Sequence, residues 1–165
     1  MLTDLQPPPA EPITLAEAKT FLRVDQNDDD ALIQTLIQSA RERLEDRLGV
    51  AMIRRAMRVS ATGGTVALPR HPVVSIDAVD ADGEPVDPVD ANLRCRPATL
   101  TLPTDSAVEV TFTAGYGPTP PTVPAPLRQA MLLLVAHGYE NREGLPDAMP
   151  LMVDALTMPY RGIGL

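Results

Sequence analysis

The chain has 165 residues, a net charge of −8 and an apolar fraction of 44%. That is the length of one domain with one core, which on folding buries about two-thirds of the surface the unfolded chain exposes. The acidic balance argues against a phosphate-gripping face, and an aromatic content of only 3% argues against a base-stacking platform.

Residues 1–12 read as an extended arm. Pro7, Pro8, Pro9 and Pro12 fix φ and remove donors, so no helix forms, and the arm orders only on a neighbour. Thr14-Leu15-Ala16-Glu17 is a capping box that opens a short helix ending near Arg23. The second helix follows Asn27–Asp30, whose acids suit a helix N-terminus. Ile33, Ile37, Ala40, Leu44 and Leu48 recur at helical spacing, Leu32 and Leu36 widen the stripe, and Gly49 stops it. Its charged second half carries Arg41, Glu42, Glu45 and Arg47. These read either as a solvated face with pairs such as Arg41–Glu45, or as ring contacts between subunits.

Residues 56–116 are strand-rich. The predicted strands are Met57–Ser60, Thr65–Leu68, Val73–Val79, Leu93–Arg96, Thr99–Leu102 and Ala107–Thr113, with Asp82-Gly83 as a turn. Val108, Val110 and Phe112 alternate with polar residues, the mark of a half-buried strand. A third helix runs from about Pro124 to Arg142 and is apolar almost all round, which predicts burial on most sides. Gly144 and Pro146 end it, and a short fourth helix spans about Asp147–Met158. Pro159-Tyr160-Arg161 opens a tail in which Gly162 and Gly164 flank Ile163. The expected fold is α+β and mainly α. It is a helical bundle centred on the second and third helices, with a small antiparallel sheet insertion. Residues 13–158 form the single domain and 159–165 a docking tail.

No pattern of residues carries catalysis. The serines lie outside any Gly-x-Ser-x-Gly elbow, and glycine-rich nucleotide fingerprints are lacking. His71 and His137 are far apart in sequence, and with one cysteine they supply no zinc-ligand spacing. Cys95, between Arg94 and Arg96, has no partner for an internal disulfide and reads as a strand residue in a reducing compartment. Asp77, Asp80 and Asp82 are the one acid group that suggests a loosely held divalent ion. The expectation is therefore no catalytic residue, no cofactor and no metal. Residues 1–12 have neither the basic region nor the apolar run of a signal peptide, and nothing approaches the ~20 apolar residues of a membrane span. Synthesis in the cytoplasm and no membrane partner are expected.

The order of motifs resembles the head–tail connector (adaptor) family of long-tailed phages and gene transfer agents. Ile13 to Lys19, Leu22 to Asp25 and the Asp-rich entry to a helix ending Leu48-Gly49 carry the resemblance. So do Val110 to Gly117, the run from Val123-Pro124 to Ala130, Tyr139 to Glu143, and Pro159 to Arg161. The resemblance implies a non-enzymatic subunit of a ring, typically of twelve, beneath a portal protein in the particle neck, assembled in the bacterial cytoplasm. The ring would extend the DNA channel without gripping the DNA, and would meet a stopper or tail-terminator protein. Pro159, Tyr160, Arg161, Ile163 and Leu165 would then bind the portal, and Arg41, Glu42, Glu45 and Arg47 the next subunit. The rivals are a small metal-dependent hydrolase using the Asp77–Asp82 acids and a DNA-packaging accessory protein, which the charge opposes.

Overall fold

The computed structural model describes residues 1–141 and 148–161. Within them lie β1 (Leu2–Asp4), α1 (Leu15–Leu22), α2 (Asp30–Leu48), β2 (Arg55–Thr62), β3 (Thr65–Leu68), β4 (Val73–Ala81) and β5 (Glu84–Pro85). Then follow β6 (Asp90–Asn92), β7 (Ala98–Thr101), β8 (Ala107–Ala114), α3 (Ala125–Glu140) and α4 (Leu151–Thr157), with a 3-10 turn at Met158–Tyr160.

Local chemistry sets the helix ends. The Thr14 hydroxyl accepts the Glu17 N–H at 3.2 Å, and the Glu17 carboxylate accepts the Thr14 N–H at 2.8 Å, closing the capping box. α2 ends at Gly49, whose φ of 64° is a left-handed conformation that a side chain would strain. The start of α2 is built differently from the expected side-chain cap. Asp29 makes no cap hydrogen bond; its carboxylate accepts the Tyr139 hydroxyl at 2.6 Å, fastening the end of α3 to the start of α2. α2 and α3 are thus antiparallel, and α3 also packs on α1 and α4. Partners on several sides explain its nearly unbroken apolar surface.

The strands form two antiparallel sheets, one of five strands in the order β1-β2-β8-β4-β5 and one of three in the order β3-β7-β6. In β8, Val108, Val110 and Phe112 point inward as the alternation predicts. Asp82 and Gly83 have φ of 52° and 86°, the positive values of a tight hairpin between β4 and β5. The expected strand at Leu93–Arg96 is a turn, and the pairing residues are those of β6, just before it. Exposed Cys95 therefore sits in a loop rather than a strand.

These sheets overturn the expectation of a mainly α bundle with a small insertion, and of one core. Among the described residues there are two apolar clusters. The first joins Ile13, Ile33, Ile37, Leu44, Leu127, Met131 and Leu134 between the helices. The second joins Met57, Val66, Leu68, Leu100, Val110 and Phe112 between the sheets. Each strand alone is too short to announce a core, but pairings such as Arg55↔Ala114, remote in sequence, assemble one.

The chain crosses between the clusters twice, at residues 49–54 and 115–124, and the crossings are bound by backbone hydrogen bonds. Ala51 N–H donates to His71 O at 2.9 Å, Gly115 N–H to Pro72 O at 2.9 Å, and Arg54 N–H to Gly117 O at 2.8 Å. Gly115 (φ 132°) passes so close to Arg54 that a Cβ would lie 2.5 Å from its backbone. The N-terminal arm lies on its own chain: β1 pairs with β2 in the register Leu2↔Val59, Thr3↔Arg58, Asp4↔Met57.

Candidate functional site

Where the two clusters meet, α2 carries a charge cluster into the interior. Arg41, Glu45 and Arg55 are all below 10% exposed. Glu45 is its centre. Its carboxylate accepts from Met52 N–H at 2.7 Å, from Arg55 Nη1 at 3.0 Å and Nη2 at 2.8 Å, and from Arg41 Nη1 at 3.2 Å. The N-terminal arm completes the set: Arg55 Nε donates to Asp4 at 2.9 Å and Arg41 Nε to Glu11 at 2.9 Å. Burial pulls the pKa of Arg41 down, but Glu11 and then Glu45 more than offset it, so it lies above its ordinary value. Arg55 behaves alike, burial being outweighed by Glu45 and Asp4. Arg70 reaches the same place, donating to the Glu45 carbonyl and pairing with Asp46. A surface cleft of about 540 Å³ opens over the cluster between the arm and α2.

The four charges read as ring contacts thus separate. Arg41 and Glu45 are engaged inside the chain, whereas Glu42 and Arg47 reach solvent. The sequence did hold a signal for this. Arg41 and Glu45 follow Ile37 at steps of four, on the same stripe as Ala40, Leu44 and Leu48, so they face inward.

A second set of contacts fastens the C-terminal segment. Asp154 on α4 accepts from Arg47 at 2.6 Å and from Arg161 at 2.9 Å, and the Arg47 hydrogen bond, with the two positive charges, holds its carboxyl below the ordinary value. Val153 and Thr157 face inward, while Leu151, Met152 and Met158 are 89%, 65% and 70% exposed. Among the described residues, one side of α4 and the turn after it is therefore an unpartnered apolar ridge. Of the residues read as a portal contact, Tyr160 is half-buried against the helical cluster, Pro159 and Arg161 are exposed, and Ile163 and Leu165 lie outside the described residues.

His71, 5% exposed, sits where the C-terminal turn meets the crossings. Burial lowers its pKa, the charge of Arg96 adds to this, and the backbones of Tyr160 and Gly49 oppose it. Burial likewise raises the pKa of Tyr116. Asp77 is occupied by hydroxyls: Ser75 and Thr113 each donate to it at 2.7 Å. Among the described residues no three Asp, Glu, His or Cys side chains converge as a cation site, and no helix is long and apolar enough to cross a membrane.

The head–tail connector motifs lie on α1, α2, the β8–α3 crossing and the C-terminal turn, the elements that build this junction. The model of the phage gp6-like head–tail connector proteins matches residues 12–82. None of the curated proteins matches the chain. Among solved structures, the chain is similar to one in the neck of an empty GTA particle computed with C6 symmetry, at 32% identity and a TM-score of 0.78. It is similar at 30% identity to one in the virion of a native gene transfer agent (GTA) particle, and at 29% to one in the neck of a native GTA particle computed with C12 symmetry, each with a TM-score of 0.78. Each of these matches covers 100% of this chain and 97% of the other. With identity and fold shared from end to end and the family's own pattern on the first half, the chain belongs to the phage gp6-like head–tail connector family.

Proposed function

We propose that the protein is a structural, non-catalytic subunit of the neck of a virion or gene-transfer-agent particle. Copies form a ring, of twelve in this reading, beneath the portal protein. The ring carries the DNA channel onward to a stopper or tail-terminator protein, and it assembles in the bacterial cytoplasm. The observation that carries the reading is the end-to-end likeness to chains in particle necks with sixfold and twelvefold symmetry. Two surface features support its parts. Between Val73 and Leu93 there are six acids and no Lys or Arg, which suits DNA passing without adhesion. The exposed ridge of Leu151, Met152 and Met158, next to Pro159 and Arg161, has the apolar core and basic rim of a docking face, assigned here to the portal. Glu42 and Arg47, both reaching solvent although Arg47 also pairs with Asp154, are the charges assigned to the contact with the next subunit.

The test is a portal pull-down with light scattering, comparing the intact protein with a chain lacking residues 159–165 and with Met152→Glu. Both variants should keep their circular dichroism and lose portal binding. Unchanged binding by both overturns the C-terminal assignment, and a protein that stays monomeric with the portal present overturns the ring.

A further inference from the structure

The N-terminal arm is held in a way that separates it from the rest of the chain. Apart from Leu2, which packs on the sheet cluster, and the buried Pro12, its contacts are polar: the three β1–β2 register pairs, backbone hydrogen bonds of Met1 to Ser60 and of Leu5 to Ala56, and the ion pairs Asp4–Arg55 and Glu11–Arg41. Of Met1 to Gln6 only Leu2 is even partly buried. A segment with so little apolar surface under cover is among the first to open. The place it fills is demanding. Without β1, β2 is an unpaired edge and Arg55 keeps Glu45 and the Ile53 carbonyl at 3.2 Å but loses Asp4. A buried guanidinium that has lost one of its two carboxylates, and an open edge, both favour refilling by an acidic extended strand.

We propose that this slot is filled in the assembled state by β1 of a neighbouring copy, so that arms are exchanged from subunit to subunit. The neighbour's β1 is the same in sequence and so reproduces the β1 contacts, Asp4 on Arg55 included, while Glu11, next to the buried Pro12, stays on its own Arg41. The connection is ready for it. Residues 5–10 carry no helix or strand and three prolines. At about 3.1 Å per residue such a stretch reaches roughly 19 Å without refolding. The exchange rests on the ring proposed above, which sets copies side by side, and it makes each subunit's charge cluster complete only in the presence of the next.

The register supplies the test. Thr3 and Arg58 are partners on exposed positions of β1 and β2, at the spacing a disulfide spans. In a Cys95→Ser background, chains carrying only Thr3→Cys are mixed at high concentration with differently tagged chains carrying only Arg58→Cys, then oxidised, with light scattering recording the assembly. A chain carrying both substitutions shows that the pair can close. Exchange requires a disulfide joining the two tags in the associated fraction. Association without that link, with the doubly substituted chain closing only on itself, overturns the exchange and leaves the ring standing. No association at all overturns both.

Discussion

Replacing Glu45 by Ala tests whether the charge cluster holds the two cores together. Four hydrogen bonds end on that carboxylate, three of them from guanidiniums, and the side chain is 2% exposed. Its loss strands the Met52 N–H and leaves Arg41 and Arg55 in the interior with the partly exposed acids of the arm, a 3.4 Å contact of Arg41 with Glu42 and the Ile53 carbonyl on Arg55. Removing one partner of a buried ion pair costs about 3–5 kcal/mol, because the remaining charge is uncompensated. For a domain of this size that is roughly 6–20 °C in Tm. Urea unfolding followed by circular dichroism reads it, with Glu42→Ala as the control. Glu42 is 54% exposed and its contact with Arg41 is 3.4 Å, so about 0–1 kcal/mol is expected there. A loss below about 1 kcal/mol for Glu45→Ala would show that the arm's acids suffice and that Glu45 is not the centre of the cluster.

Leu134→Asp should abolish soluble folded protein, since Leu134 is 0% exposed in the helical cluster and an unpaired carboxylate there costs several kcal/mol. Well-dispersed NMR spectra from that variant would refute the packing of α3. His71 gives a pH dependence. Its pKa in the folded chain is lowered from the ordinary 6.5, by burial first and then by Arg96. The unfolded chain therefore takes up the proton first, and stability held above pH 6.5 is lost as the pH falls from there toward the folded pKa. Urea midpoints between pH 7.5 and 5 should show this decline in the natural chain and a smaller one in His71→Asn; equal slopes would refute it.

The cap of α1, the C-terminal stop of α2 and the alternation of β8 were legible because their signals are local. Thr14 and Glu17 are three residues apart, Gly49 directly follows its helix, and the alternation in β8 lies within one strand. What the sequence hid depends on distant partners. β1 is three residues with no periodicity, and only β2, more than fifty residues away, makes it a strand. Arg41 and Glu45 look like a solvated i,i+4 pair until Arg55 and the arm cover them. The second core escaped for the same reason, since its faces belong to short strands whose partners are far along the chain. The exposed ridge of α4 was half visible: its apolar residues were plain, but their outward direction was not.

The doubled crossing has a consequence for how such a chain diversifies. Arg55 enters the β-rich half directly opposite Ala114, where the chain leaves it. Everything between is a closed excursion that departs from and returns to one spot on the helical half. A lobe attached in that way is a cassette. Its loops can lengthen, shorten or change charge, and the whole can be grafted from a relative, without rerouting a helix. The conditions sit at that one end of the lobe: it must present paired ends at Arg55 and Ala114, an edge for β1, and the Arg70 to Pro72 contacts with α2 and the crossings, and must leave position 115 without a side chain beside Arg54.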